Sequence, residues 1–357
     1  MFIDRIVERE NACVKALKMA KKSGYLTYIY GAGEGSVNVE KRFKDFKFDG
    51  KVVNRKYYKE FSESDCLEDI LEQTTTKINL LVAFKGFEKK QLVSFRDKIN
   101  MILDYDCFCQ NTNVDSSLLD YEFVNDNRDK LENVSNKLSD EYSREVMAAY
   151  INQKISMKYD YLRNYARNKQ YFDEFVPFSE NEVFVDCGAY IGDSAIAFIE
   201  ELKKRGINSY EKILSFEPDP YNYKTMLKRK IKNQLCFNKG TSDHVGKTKF
   251  SIKGTSSTFS SSGEISVDVD TLDNMIDERI TYIKMDIEGA ELESLHGAER
   301  LIKENEPKLA ICIYHRKEDL WTIIDYIDSL GIDYDYYIRA YEKTAMELVL
   351  YAIPKKY

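Results

Sequence analysis

Apolar residues recur three and four apart across residues 2–22 (Ile3, Ile6, Val7, Val14, Leu17), a helical spacing that Gly24 can end. The pattern then changes to short β-rich runs. Residues 25–30 form the first, followed by the turn Gly31-Ala32-Gly33-Glu34-Gly35-Ser36, a polar helix over 37–46 and a strand at 50–53. A helix at 65–72, a buried strand at 78–84, a helix at 88–97 and an apolar run at 101–103 continue the alternation. A break falls at 111–117. Strand, glycine turn, helix, strand is a βαβ unit, so the first part of the chain is expected to be a small Rossmann-like α/β domain.

The spacing predicts continuous helix over 124–138, 140–157 and 159–169, with Asp140 as an N-cap. Strands are then expected at 183–185, 212–216, 235–237, 282–285 and 309–314. The helices between them fall at 194–205, 221–232, 291–305 and 320–330. Two last apolar runs, 334–341 and 346–353, read as a closing hairpin. The fold class is therefore α/β: a larger C-terminal Rossmann-like sheet of seven strands with a terminal antiparallel hairpin, plus the smaller N-terminal domain. The expected boundaries are 1–117, 118–175 for a helical connector, and 176–357.

Composition narrows the function class. No run approaches the roughly 20 apolar residues a membrane-spanning helix needs. The start Met1-Phe2-Ile3-Asp4-Arg5 lacks the basic flank and apolar block of a signal peptide, so a cytoplasmic location is expected. A net charge of -7 argues against nucleic acid as a partner. Cysteines Cys13, Cys66, Cys187, Cys236 and Cys312 sit singly in apolar or helical patterns and read as reduced thiols. Cys107 and Cys109 form a lone C-x-C with no second pair of ligands, too little for zinc.

Four segments carry the candidate chemistry, each at the end of an expected strand. In Asp186-Cys187-Gly188-Ala189-Tyr190-Ile191-Gly192-Asp193 the glycines let the backbone pass close to a ligand, and the following helix presents free N–H groups. The acid precedes glycines four apart, which suits a zwitterionic tail better than the pyrophosphate of a G-x-G-x-x-G turn. Glu217, in Phe216-Glu217-Pro218-Asp219, is placed to accept from two ribose hydroxyls. Asp286 and Glu288, in Ile283-Lys284-Met285-Asp286-Ile287-Glu288-Gly289-Ala290-Glu291, end a strand that faces the ligand crevice. His315 follows Tyr314 at the end of the next strand and is a candidate general base. Of the other two histidines, His296 falls inside a helix and reads as structural.

These segments together resemble the FkbM family of methyltransferases. The resemblance rests on Val185-Asp186-Cys187-Gly188-Ala189, Phe216-Glu217-Pro218, Ile283–Glu291, Tyr314-His315 and the closing Tyr337-Ile338-Arg339 and Glu347-Leu348-Val349-Leu350-Tyr351-Ala352, and it runs over residues 182–354. Relatives often carry Asn where Tyr190 stands and His where Ala340 stands. The resemblance implies a class I methyltransferase sheet and S-adenosylmethionine as cofactor. It also implies transfer to a hydroxyl oxygen of a small or carrier-linked acceptor, most often a sugar or glycan, nucleotide- or lipid-linked. The cofactor residues it implies are Asp186, Gly188, Ala189, Tyr190, Gly192, Asp193, Ser194, Glu217, Pro218 and Asp243, and the catalytic ones His315, Asp286 and Glu288. No metal is expected, although Asp286 and Glu288 are the pair that Mg²⁺ would take. A homo-oligomer is compatible with all of this.

Two other readings stay open: a non-catalytic nucleotide-binding or scaffold protein with an inherited methyltransferase fold, and a NAD-dependent oxidoreductase acting through the N-terminal domain. The N-terminal turn resembles nucleotide-binding glycine turns found beside carbohydrate-modifying enzymes. Gly35 falls too early for the third glycine of a dinucleotide fingerprint, and no acid is clearly placed for a ribose. A vestigial or substrate-positioning domain is therefore preferred over a second cofactor site.

Overall fold

A computed structural model describes residues 1–61, 63–84, 87–103, 119–158, 160–251, 258–259, 265–341 and 347–356. Cys107, Cys109 and the break at 111–117 lie outside these. The chain divides into two units, one of residues 4–126 with 149–163, the other of residues 1–3, 127–148 and 164–357. The helical segment over 118–175 is thus shared out between them.

In the first unit, β1 (Thr27–Tyr30), β2 (Gly50–Val53), β3 (Asp65–Cys66), β4 (Ile78–Val82) and β5 (Ile99–Leu103) form one sheet in the order β3-β2-β1-β4-β5, every neighbour parallel. Because strand side chains alternate, Ile29 and Leu81 pack with Cys13 and Leu17 on one face, while Tyr28, Tyr30, Leu80 and Val82 pack with Leu67 and Leu71 on the other. Helices α1 (Ala12–Ser23), α2 (Glu34–Arg42), α3 (Leu67–Gln73) and α4 (Tyr121–Asp126) belong to this unit. Asn11 caps α1 by accepting from the Cys13 and Val14 amides, and Gly24 ends it at φ 73°. Residues 88–97, expected as an α-helix, are instead a 3₁₀ segment, Lys89–Lys98, interrupted at Phe95. Leu92 alone is buried there, so no apolar stripe holds a full α-helical turn against the sheet.

In the second unit, five parallel strands, β6 (Val183–Cys187), β7 (Lys212–Phe216), β8 (Gln234–Phe237), β13 (Tyr282–Met285) and β14 (Lys308–Cys312), join the antiparallel pair β15 (Tyr334–Ala340) and β16 (Leu348–Pro354). The order is β15-β16-β14-β13-β6-β7-β8. Helices α7 (Asp193–Lys204), α8 (Pro220–Leu227), α10 (Glu291–His296), α11 (Glu299–Asn305) and α12 (Asp319–Ser329) connect the strands, with the short α9 (Leu272–Met275) after the smaller sheet. Helix α5 (Arg128–Lys137) is also in this unit, and α6 (Glu141–Ser156) contributes residues to both. Asp140 caps α6 by accepting from the Ser143 amide at 2.7 Å. The core beneath the sheet is aromatic, with Phe184 stacked on Tyr282 at 5.4 Å and tilted against Phe198 at 4.8 Å.

Further elements differ from the sequence pattern, among them the helix expected over 124–138, which is interrupted at Asn127 between α4 and α5. The Ser/Thr-rich region forms a second small sheet, β11-β10-β12-β9, from β9 (Gly240–Thr241), β10 (Gly246–Ser251), β11 (Thr258–Phe259) and β12 (Ile265–Asp270). Along β12, Val267 and Val269 alternate inward with Ser266 and Asp268 exposed, so the run is too polar to read as a buried strand. Residues 160–169 are turns rather than helix; the Arg167 amide donates instead to the Ala340 carbonyl at 2.9 Å, so pairing with β15 overrides local helix propensity. The helix expected over 291–305 breaks at Gly297. A Cβ there would stand 1.9 Å from the Ser242 carbonyl oxygen, so the break brings α10 hard against the end of β9.

This contact holds Gly240 and Thr241 at the site described below, together with the Thr241 Oγ1–Ser294 Oγ hydrogen bond at 2.7 Å. Gly297→Ala is expected to lower stability by about 1–3 kcal/mol in urea denaturation, the usual cost of overpacking a rigid contact. An unchanged midpoint would show that the backbone can give way there.

Candidate active site

The parallel strands run outward in both directions from β6, and ligands in such sheets bind beyond the carboxyl ends at that switch point. β6 ends in Asp186 and Cys187, and the chain then turns through Gly188 at φ 76°, Tyr190 at φ 47° and Gly192 at φ 83° into α7. Gly188 is irreplaceable on steric grounds, since its Cβ would lie 1.9 Å from the Asp286 carbonyl oxygen. The turn after β6 and the end of β13 therefore touch backbone to backbone.

A buried lysine ties the two together. Lys284, on β13, pairs with Asp186 Oδ1 at 3.1 Å and donates to the carbonyls of Gly188 at 2.7 Å and Cys187 at 3.2 Å. Its side chain is 3% exposed and that of Asp186 0%, so neither charge is solvated. Burial opposes the ammonium, but Asp186 and Asp286 outweigh it and hold the Lys284 pKa above its ordinary value. Ser194, in the first turn of α7, donates to the other Asp186 oxygen.

Glu217 follows β7 and is buried. Burial pushes its pKa up to about 7, against the amides of Asp219 and Tyr190, each of which donates to it at 2.8 Å. Asp219 caps α8 through the Tyr221 and Asn222 amides, with Pro220 in the first turn. The Glu217 carboxylate is thus aimed by the turns on either side of it.

The third group stands at the ends of β13 and β14. Asp286 accepts from the Tyr171 hydroxyl at 2.7 Å and the Tyr314 hydroxyl at 3.2 Å. Burial would raise its pKa, but Lys284, His315 and these hydroxyls hold it below the usual carboxylate range. His315 Nδ1 lies 2.9 Å from Glu291 Oε1, and its Nε2 lies 3.6 Å from both Asp286 and Glu288. Burial disfavours the imidazolium, yet Glu291 and the other two carboxylates raise its pKa to about 9. Burial also raises Glu288 to about 7, with the His315 charge pulling the other way. Glu288 is held at φ 58°, a conformation unusual for a side-chain-bearing residue and typical of strained functional positions.

A cavity of about 240 Å³ opens over these groups. Gly188, Tyr190, Asp193, Ser194, Glu217, Pro218, Asp286 and Glu288 line it. Ala189, fully buried, and Gly192 shape the turn, while Asp186 lies behind it. His315 is not among the lining residues; its ring sits behind the carboxylates. Asp243 also falls outside the lining, and its carboxylate pairs with His244 at 2.7 Å. Asp286, Glu291 and His315 are the described residues whose ligand atoms come within 4.8 Å of one another as a metal would require, a different set from the Asp286–Glu288 pair named from the sequence as the one Mg²⁺ would take.

Several lining residues escape sequence reading. Tyr171 reaches Asp286 from just beyond the segment that reads as helix, at φ 68°, with Lys284 Nζ 5.2 Å from its ring centre. Among 26 tyrosines nothing singles it out. Gln170, bonded to Glu347, closes one edge of the cavity, and Thr241 closes another. Lys284 could have been suspected, because a lysine in an otherwise apolar strand must find a buried partner.

This sheet, with its crevice at the first strand and an antiparallel closing pair, is a methyltransferase fold. The crystal structure of methyltransferase FkbM from Methylobacillus flagellatus KT superimposes with a TM-score of 0.74 at 23% identity, over 98% of this chain and 92% of that one. An rRNA methylase from Streptococcus thermophilus aligns over 49% of this chain and 88% of its own, at 13% identity and a TM-score of 0.33. No curated protein matches the sequence. Residues 186–337 match the family model for the methyltransferase FkbM domain.

Lys284→Met is expected to destabilise the protein by about 3–5 kcal/mol in urea denaturation, because it strands the Asp186 carboxylate in the interior. Adding Asp186→Asn to it should recover much of the loss. Equal losses in the single and double variants would mean that the two charges are not coupled.

Proposed function

We propose that the second unit transfers the methyl group of S-adenosylmethionine to a hydroxyl oxygen of a small or carrier-linked acceptor, with a sugar or glycan the leading class. The observation that carries this reading is the meeting, in one cavity, of the glycine turn after β6, the buried carboxylate after β7 and the acid pair after β13. Gly188 lines the cavity with bare backbone, held there by its packing on the Asp286 carbonyl, which suits a cofactor that approaches the backbone closely. Asp193, Ser194 and the turn amides would hold its methionine tail, and Glu217 its ribose hydroxyls. When bound, the cofactor supplies an electrophilic methyl group on sulfur.

The residues of this chain then have distinct tasks. Fixing the acceptor oxygen in line with the methyl group can contribute roughly 7–11 kcal/mol. Glu288, lining the cavity with a pKa near 7, accepts the hydroxyl proton as the new O–C bond forms. Asp286, held ionised and hydrogen-bonded, orients the acceptor. His315, expected from the sequence as the base, is better suited to a supporting role. At neutral pH it carries its proton already, and it holds the three carboxylates together as an imidazolium.

Titration calorimetry should show saturable S-adenosylmethionine binding that Glu217→Ala weakens at least about tenfold, in line with loss of charge-assisted hydrogen bonds. Release of S-adenosylhomocysteine over a panel of sugar acceptors should identify a substrate. The rate should then rise with pH through about 7 as Glu288 loses its proton and fall through about 9 as His315 loses its own. Glu288→Gln should abolish transfer and spare cofactor binding. No binding at millimolar cofactor would overturn the reading in favour of a scaffold, and full activity in Glu288→Gln would move the base elsewhere.

A further inference from the structure

The first unit holds a separate cavity of about 1080 Å³ at the carboxyl ends of β1, β2 and β4. Chain order reverses at β1, with β2 on one side and β4 on the other, so this is the topological switch point of its own parallel sheet. The volume matches that of small-molecule and cofactor sites, which run to about 1,000 Å³. None of it is used by the chemistry proposed for the second unit.

Three walls define what would fit. The first is the turn over residues 31–35. Gly31 adopts φ 122° with its Cα turned to the Phe84 ring, where a Cβ would come within 3.1 Å, while a Cβ on Gly33 would meet nothing within 4 Å. Gly33 starts the nine-residue α2 with no side-chain cap, and Gly33, Glu34 and Gly35 at this positive dipole end line the cavity. The second wall is at the end of β2. Asn54 accepts from the Tyr30 hydroxyl at 2.6 Å and donates to Glu68 at 3.1 Å. Glu68, brought in from α3, also accepts from the Arg55 amide at 2.7 Å and from Cys66 Sγ at 3.5 Å, and supplies the carboxylate at the β2 end that the sequence left unplaced. The third wall is aromatic and basic: Lys56 Nζ lies 4.3 Å from the Tyr57 ring centre, and both face the cavity.

We infer that this cavity binds a nucleoside diphosphate, free or as the head of a nucleotide-linked sugar. The diphosphate meets the α2 amides and Lys56, the ribose hydroxyls meet Asn54 and Glu68, and the base packs against the aromatic wall. The inference stands whether or not the second unit transfers methyl groups.

The test is calorimetry on the full-length protein with UDP, GDP, ADP, a UDP-linked sugar and inorganic pyrophosphate. One nucleoside diphosphate should bind saturably and more tightly than pyrophosphate. Gly33→Asp should weaken it at least about tenfold by placing a like charge at the helix start. The residue at 33 is extended, with φ -81° and ψ -163°, and aspartate is a favoured N-cap there, so the variant should melt no lower than wild type. Glu68→Gln should weaken nucleotide but not pyrophosphate. Glu217→Ala should leave nucleotide binding intact, which separates this cavity from the one proposed for S-adenosylmethionine. The UDP-linked sugar binding like UDP would identify the diphosphate head as the group recognised. Failure of every nucleotide to bind, affinity no better than that of pyrophosphate, or undiminished binding in Gly33→Asp would overturn the inference.

Discussion

Much of the second unit depends on one buried ion pair. Lys284 donates to the carbonyls of Cys187 and Gly188 and pairs electrostatically with Asp186, so one cation on β13 ties down the exit from β6. The backbone contact of Gly188 with Asp286 continues the β6–β13 pairing at the same place. Buried ion pairs are weak sources of stability, because desolvation cancels much of their attraction. What Lys284 contributes is a single geometry for the turn, which a ligand-binding loop needs more than it needs stability.

A second buried cation organises the acid cluster. Asp286, Glu288 and Glu291 surround His315, and so much negative charge keeps the imidazole protonated. The two cations therefore divide the carboxylates by function. Asp286, close to both, stays ionised, whereas Glu288 is drawn up toward neutrality by burial and can exchange a proton near physiological pH. The same fold places another carboxylate, Glu217, across the cavity, where backbone amides keep it aimed.

The strand pattern was largely legible, because five of the seven strands in the larger sheet are near-continuous apolar runs and parallel sheets bury both faces. Gly188, Glu217, Asp286 and Glu288 were legible for a related reason: each follows such a run at its carboxyl end. Tyr171 was not, because it reaches Asp286 from an irregular segment whose path is set by pairing with β15 rather than by local pattern. His315 was legible as a residue type suited to proton transfer, whereas the three carboxylates that raise its pKa come together only in the fold. Likewise Glu68 lies far from Gly31 in the chain, and only the sheet brings them to one cavity.

The most direct measurement is the crystal structure of the protein with S-adenosylhomocysteine. The account predicts the ribose hydroxyls within hydrogen-bond distance of Glu217, and the sulfur beside Asp286 and Glu288 with an open path to the Glu288 carboxylate. A ligand bound elsewhere, or one whose sulfur faces away from that pair, would contradict it.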